Sequence, residues 1–328
     1  MIKGAPDRML AGAVYMTQGT VEECILSNNL CSATSNYEKY IAGAVYATGG
    51  TIERCIIAGN SVTSITTANK AGGILANGAV TIRNCLLTGN SATSTSLKNA
   101  GGVLALANNA VIEHVTACGN SADNAGVYAT GGLLERCVIA DNNDETTNWA
   151  AAGGLYVNGP AVIRNCLISG NTNASAKAAS AGGLVLGTGA GAAGVTNVTV
   201  AANTATDGSV ADGACVAAGR LANAIVWGNG DGGGTDLLHT GGTVSFSCFP
   251  SATSEAGNIA LAPGFRNAAA GDYRIGTGSP CLDTGHTDAA ARARLLTDLL
   301  GFPRLVGRSV DMGCYECQSL SRTLLIVR

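Results

Sequence analysis

Short runs of alternating apolar and polar residues recur along most of the chain and define a repeated unit. Residues 42–60, AGAVYATGGTIERCIIAGN, return with small changes as residues 71–90, AGGILANGAVTIRNCLLTGN. Each unit closes on an asparagine, and successive closing asparagines lie 22 to 32 residues apart. Apolar residues at every second position, with many Gly, Thr, Val and Ile, indicate strands, and a repeat of this length indicates a solenoid. The closing asparagines are Asn29, Asn60, Asn90, Asn120, Asn142, Asn171, Asn203 and Asn229.

The alternation changes phase once within each unit, which indicates a bend between two strands. Ile52 is predicted to point inward and Glu53 outward, and after a bend at Arg54 the inward residues are Cys55 and Ile57. A one-residue bend needs a left-handed backbone, and asparagine is the commonest non-glycine residue there. The closing asparagines are predicted to hydrogen-bond with one another from coil to coil. The bend positions are Glu23, Arg54, Asn84, His114, Arg136, Asn165, Asn197 and Asn223.

Three short strands and one corner of variable length make each unit one coil of a parallel β-helix. We therefore predict an all-β, right-handed parallel β-helix solenoid of about nine coils over residues 1–250, stacked about 4.8 Å apart. The ninth coil is a degraded copy, LLHTGGTVSFSC, at residues 237–248. Residues 251–328 lack the repeat and are predicted to cap the C-terminal end. Coil one begins at Ala11 without a capping element, so we expect an N-terminal end that is truncated or uncapped, either in a fragment or in a chain whose secretion signal lies upstream.

Composition narrows the classes of partner. The net charge is −3, and the Lys and Arg residues are scattered, which argues against nucleic acid as a partner. No apolar run approaches the 18 residues of a membrane span, and the first eleven residues lack the apolar core of a signal peptide. Hydrophobic content of 46% with only 4% aromatic residues suits a narrow core of stacked aliphatic side chains.

Most of the twelve cysteines are explained by the repeat. Five of them share one inward column, where we predict thiols that pack as small apolar side chains. Cys314 and Cys317 form a lone CxxC with no second CxxC or His pair to complete a zinc site. We predict a structural role for this pair, with Cys281 as the partner of one of them. The inward column contains Cys24, Cys55, Cys85, Cys137 and Cys166.

The ordered pieces APGF, GDYRI, GSPCLDTG, TDLLGFPR and VDMGCYE, within residues 261–317, follow the repeated coils. Together with those coils, they resemble the right-handed, pectate-lyase-like β-helix proteins of the choice-of-anchor Q type. The resemblance implies a secreted or surface-displayed protein, often within a larger polypeptide, and implies no particular reaction. TDLLG departs from the family, which usually has an acidic residue before the glycine, and this weakens the case for a cation at that turn.

One surface patch has the residue types of a polysaccharide-degrading site. Glu113, His114, Glu135 and Arg136 lie at outward or bend positions of adjacent coils. A polysaccharide lyase needs an Arg or Lys base beside carboxylates, and a glycoside hydrolase needs two acidic residues across the glycosidic bond. The alternative is a solvated strand face whose ion pairs each contribute about 0 to 1 kcal/mol. We favour the strand face, because no hydrolase signature is present.

Two loops have enough oxygen ligands to make calcium a candidate cofactor. One loop contains Asp141, Asp144 and Glu145, and the other contains Asp231 and Asp236. Neither loop matches the spacing of an EF-hand or a glycine-rich nonapeptide repeat, so we favour polar loop chemistry and no cofactor.

Two outward columns remain. Tyr15, Tyr46, Tyr128 and Tyr156 belong to the outward column of the first strand, where flat rings suit the stacking of a polysaccharide or cell-surface glycan. The alternative is that the variable loops fold over this column. The outward column of the third strand is apolar, which favours cover by another part of the chain or by a partner. Its members are Ile25, Ile56, Leu86, Val138 and Leu167.

These observations favour a non-catalytic secreted or cell-surface β-helix that acts as a stalk, adhesin or glycan-binding module. The alternative is a polysaccharide lyase or glycoside hydrolase with an unrecognised site.

Overall fold

The recurring alternation builds one stack of parallel strands, a β-solenoid with almost no helix, in the computed structural model. The structure describes residues 2–4, 9–33, 38–64, 69–93, 99–145, 150–206, 210–230, 235–252, 255–287 and 296–318. The predicted all-β parallel solenoid is therefore confirmed.

The first and second strands of each turn form the two rows of the largest sheet. In two turns the rows are continuous, as Val45–Glu53 and Ile74–Arg83. The first row otherwise contains Val14–Met16, Val103–Ala105, Val127–Ala129, Leu155–Val157, Leu184–Leu186, Ala211–Val216 and Thr235–His239. The second row otherwise contains Thr20–Glu22, Val111–Glu113, Leu133–Glu135, Val162–Arg164, Gly194–Thr196, Arg220–Ala222 and Thr243–Ser245.

Three further sheets complete the turns. The third sheet, after the bend, contains Ile25–Ser27, Ile56–Ala58, Leu86–Thr88, Thr116–Cys118, Val138–Ala140, Leu167–Ser169, Thr199–Ala201 and Ile225–Val226. The fourth sheet, after the closing asparagine, contains Leu30–Ala33, Ser61–Ser64, Ser91–Thr93, Ser121–Ala122, Asn143–Asp144, Thr172–Asn173 and Thr204–Ala205. The entry sheet, before the first strand, contains Ile2–Gly4, Met9–Ala11, Tyr40–Ala42, Asn69–Ala71 and Asn99–Ala100, with its first two strands antiparallel.

The number of turns is about seven rather than the predicted nine. The fourth sheet has seven strands and the third sheet has eight. The late units that resemble the repeat contribute strands to some sheets only, and Cys248 continues the third sheet by a single bridge to Ile225. Counting sequence motifs therefore counts partial turns as whole ones.

The bend and the closing asparagine behave as predicted. All eight bend residues have φ between 50° and 53°, in the left-handed region. Each closing asparagine donates from its backbone N and Nδ2 to Oδ1 of the asparagine in the next turn, at 2.8 to 3.0 Å. The ladder ends at Asp236, whose Oδ1 accepts from backbone N and Nδ2 of Asn229. A continuous line of buried amides thus ties the turns together.

The interior holds the inward aliphatic side chains and the cysteine column. Cys55, Cys85, Cys137 and Cys166 are buried in the main core, and Cys24 at the first turn packs against it half-buried. All twelve cysteines are free thiols. The prediction of core thiols is confirmed for this column.

The C-terminal segment lies along the outer side of the third sheet, where it buries part of the apolar outward column. Leu167 and Ala201 of the third sheet pack against Tyr273, Leu299 and Cys314. The segment contains the antiparallel strands Phe265–Asn267 and Asp272–Ile275 and the 3-10 turns Glu255–Gly257 and Ala268–Ala270. At the other end of the same column, Ile25 and Ile56 remain exposed.

Candidate functional site

The charged patch predicted from the sequence is assembled by strand register. Glu113 pairs in register with Glu135, and Glu135 pairs with Arg164 on the next second-row strand. Parallel strands stack about 4.8 Å apart, so these three outward side chains form a short column. Arg136 and His114 flank it because the left-handed bend directs each of them out of the adjoining corner.

Ion pairs connect the glutamates and arginines of the patch. The carboxylate of Glu135 lies 2.6 Å from Nη2 of Arg164 and 3.7 Å from Nη1 of Arg136. Arg136 is also 3.7 Å from the carboxylate of Glu113. The side chain of Glu135 is only 8% exposed, so this carboxylate is largely withdrawn from water and depends on its two arginines.

Arg136 also holds the C-terminal segment. Its Nη1 donates to Oγ1 of Thr297 at 2.7 Å, and Nδ2 of the neighbouring bend residue Asn165 donates to the carbonyl of Thr297 at 3.0 Å. The bend residues of two successive turns therefore both hydrogen-bond to one residue of the C-terminal segment. This contact gives Arg136 a structural task that the sequence pattern did not reveal.

His114 lies exposed at the edge of the patch. Partial burial lowers the pKa of His114, and the positive charge of Arg136 adds to this effect while Glu113 and Glu135 oppose it. The imidazole is therefore mainly neutral near pH 7. A neutral imidazole can accept a proton, but no hydrogen bond between it and either carboxylate is present in the described residues.

A second charged network on the earliest turns has the same construction. Arg54, at a bend, pairs with Glu22 at 3.0 Å, with Glu23 at 3.0 Å, and with Glu53. Arg83 pairs with the same Glu53 at 2.5 Å. Since an arginine between carboxylates recurs at a second level of the solenoid, the pattern belongs to the strand stacking itself.

The tyrosine column is mostly interior. Tyr46 and Tyr128 are 1% and 2% exposed, because the entry sheet and neighbouring outward leucines cover them. Tyr15 and Tyr156 are half-buried and stack on them, with ring centroids 5.6 Å and 5.1 Å apart. Tyr40 of the entry sheet also stacks on Tyr46. The alternative, in which the variable segments fold over this column, therefore holds for Tyr46 and Tyr128. Their rings have no face open to a sugar.

The acidic residues considered as calcium ligands either make local contacts within the protein or lie apart from one another. Asp144 is buried on a fourth-sheet strand, while Asp141 is exposed at a turn with φ 54°. Glu145 accepts from Oγ of Ser121 at 2.8 Å. Asp236 ends the asparagine ladder, and Asp231 lies outside the described residues. Within the described ranges, no group of three or more His, Cys, Asp or Glu side chains is placed to hold a metal ion.

A buried charged cluster in the C-terminal segment escaped the sequence reasoning. Arg304 is fully buried, 3.7 Å from Glu316, and donates to the carbonyl of Asp311 at 2.9 Å. Burial raises the pKa of Glu316 to about 8, against the opposing effect of Arg304. Asp298 accepts from the backbone N of Leu300 at 2.9 Å. Only the motifs TDLLGFPR and VDMGCYE, which contain these residues, could have signalled the cluster.

Two carboxylates of the segment accept hydrogen bonds from backbone N–H groups. Asp311 accepts from the backbone N of Asp283 and of Cys317, both at 2.7 Å. Asp283 accepts from the backbone N of Arg308 at 3.0 Å. These two acidic side chains therefore supply hydrogen-bond acceptors for backbone N–H groups of the segment.

The fold defines the class of protein as a parallel β-solenoid. Comparison with models of known protein families gave no match, and no similar sequence was found among curated proteins. The resemblance to the choice-of-anchor Q type therefore stays a prediction from the motifs quoted above. In the described part of the chain, none of the helices has the length and apolar character needed to cross a membrane.

Proposed function

We propose that this protein is a non-catalytic, secreted or cell-surface β-solenoid that acts as a stalk or adhesin. The observation that supports this role is that other residues of the protein pair with Glu135 and Arg136, the central residues of the charged patch. Glu135 pairs with Arg164 of the next turn and Arg136 with Glu113 of the preceding turn, and Arg136 also donates to Thr297 of the C-terminal segment. Residues held in this way stabilise the rod and its cover.

The interior supports the same role. Seven turns at about 4.8 Å each give a rod roughly 34 Å long. The asparagine ladder runs without interruption from Asn29 to Asn229, and each step is a pair of amide hydrogen bonds. Units that contact only their neighbours and are joined by a continuous ladder suit an elongated stalk.

The test uses Glu135→Gln, with product release from polysaccharides and thermal unfolding measured on the same samples. A scaffold role predicts a lower unfolding temperature for the variant and no new reducing or unsaturated ends from either protein. Polysaccharide cleavage by the native chain that Glu135→Gln or Glu113→Gln abolishes without loss of fold would instead support the alternative, a polysaccharide lyase or glycoside hydrolase.

A glycan-binding role is supported by a second observation, the half-buried rings at the ends of the tyrosine stacks. Tyr15 lies nearly parallel to Tyr46, at an interplanar angle of 8°, and Tyr15 remains partly exposed. A flat, partly exposed ring backed by another ring suits one face of a sugar. Tyr15→Ala should weaken retention on a polysaccharide column, whereas the control Tyr15→Phe should retain binding by the ring. Equal retention of all three proteins would remove this role.

A further inference from the structure

Two cysteines outside the inward column meet where the C-terminal segment joins the last turn. Cys248 bridges to Ile225, an outward residue of the third sheet, so Cys248 continues the outward column. Cys281 belongs to the C-terminal segment, and both thiols are fully buried in one apolar cluster with Ile225 and Met312. The Cys248 thiol thus faces the covering segment.

The immediate contacts hold both residues in place. The carbonyl of Cys281 accepts from the backbone N of Met312 at 3.1 Å, and the Cys248 thiol donates to the carbonyl of Leu261 at 3.1 Å. Both thiols lie in this one buried cluster, and the neighbouring Cys281 thiol and burial raise the pKa of Cys248. A protonated, buried thiol reacts slowly, so the Cys248 and Cys281 thiols react before the C-terminal segment is fully docked.

The CxxC is divided between two environments. Cys314 packs with Leu167, Tyr273 and Leu299, whereas Cys317 lies in the same cluster as Cys248 and Cys281. Cys314 is therefore removed as a partner of Cys281. Cys317 remains the competitor, and its backbone N is tied to the carboxylate of Asp311 at 2.7 Å.

We propose that Cys248 and Cys281 form a disulfide bond that fastens the C-terminal segment to the last turn of the solenoid. The oxidant is a small-molecule disulfide such as oxidised glutathione. The two thiols lose two protons and two electrons, one sulfur–sulfur bond forms between them, and the oxidant is reduced to two thiols. The bond locks the cover over the outer side of the third sheet.

The stacked cysteines of the inward column are the matched control. Cys55 and Cys85 are also buried neighbours, but they directly precede parallel strands about 4.8 Å apart and their side chains are parallel, which leaves their Cβ atoms too far apart for an unstrained bond. Oxidation should therefore leave both of them as thiols. The comparison separates a specific pair from general oxidation of buried cysteines.

The experiment maps disulfides in the full chain produced in an oxidising and in a reducing host. Each sample is denatured with an alkylating reagent present and digested with trypsin. Cleavage after Lys and Arg places Cys248 in peptide 221–266, Cys281 in 275–292, and Cys314 and Cys317 together in 309–322. Peptides 55–70 and 84–98 carry the control thiols.

The expected result is a linked pair of peptides 221–266 and 275–292 in most of the oxidised sample and none in the reduced sample. The control peptides should be alkylated in both, and Cys248→Ser should abolish the link. A link between 275–292 and 309–322 in the native oxidised sample would overturn the proposal in favour of Cys317. Full alkylation of Cys248 and Cys281 in that sample would overturn it as well. None of these outcomes depends on the role proposed above.

Discussion

The asparagine ladder makes the sharpest prediction about stability, through the substitution Asn120→Ala. The Asn120 side chain makes four hydrogen bonds. Nδ2 donates to Oδ1 of Asn142 at 2.9 Å and to the carbonyl of Leu87 at 3.0 Å. Oδ1 accepts from the backbone N and from Nδ2 of Asn90, at 3.0 and 2.9 Å.

At about 1 kcal/mol each, these bonds predict a loss of roughly 4 kcal/mol in the free energy of unfolding, because Asn120 is fully buried and water cannot replace them. Asn29→Ala is the matched control. Its side chain makes one ladder bond, Nδ2 to Oδ1 of Asn60 at 2.8 Å, at the partly exposed first turn. The control should therefore lose about 1 kcal/mol.

Urea unfolding followed by circular dichroism measures both variants, and an unchanged slope against urea would show that the same structure unfolds. The ladder account expects Asn120→Ala to be less stable than Asn29→Ala by about 3 kcal/mol. A difference below about 1 kcal/mol would refute it, because the buried amides would then contribute no more than exposed ones.

Three further predictions test the patch, the tyrosine stack and the buried cluster. Glu135→Gln weakens the pairs with two arginines and should lower the free energy of unfolding by about 1 to 3 kcal/mol in urea, whereas Asp272→Asn, at an exposed pair, should leave the unfolding midpoint unchanged. Tyr128→Ala should cost about 3 to 5 kcal/mol, because a buried ring leaves a cavity beside the entry sheet; a calorimetric melting point equal to that of the native chain would contradict this. The pKa of Glu316 is raised to about 8 in the folded state, so its contribution to stability is fully present below about pH 4.5 and lost as the pH rises towards 8. The unfolding midpoint should therefore decrease from pH 5 to pH 8 in the native chain, and this decrease should be smaller in Glu316→Gln.

The features repeated in every unit could be predicted from the sequence. The left-handed bend at Arg54 or Asn165 follows from a change of phase, and eight copies fix its position. The ladder follows from the same register, because identical amides at one position of each turn must lie one above the other. The repeat and its register alone determine both features.

The entry sheet and fourth sheet could not be predicted, because their residues have loop-like composition. Ser61–Ser64 and Asn69–Ala71 are polar and short, and their strand conformation depends on backbone hydrogen bonds to the same segment of the neighbouring turns. The entry sheet buries Tyr46, whose outward position had indicated an exposed ring. The alternation of apolar and polar residues therefore does not predict the entry sheet or the fourth sheet.

The position of the C-terminal segment depends on contacts between residues far apart in sequence. Arg136 and Thr297 are 161 residues apart, and nothing near either residue predicts their hydrogen bond. The one sequence signal was the apolar outward column that includes Val138 and Leu167, which indicated a cover without identifying it. The structure identifies the C-terminal segment as part of that cover.

The most direct test of the account is the release of new reducing or unsaturated ends from a panel of acidic and neutral polysaccharides by the folded chain. The account predicts no release above the level of a heat-unfolded sample, because Glu135 and Arg136 are committed to neighbouring turns and to Thr297. Release that depends on Glu135 or Glu113 would contradict the proposed scaffold role.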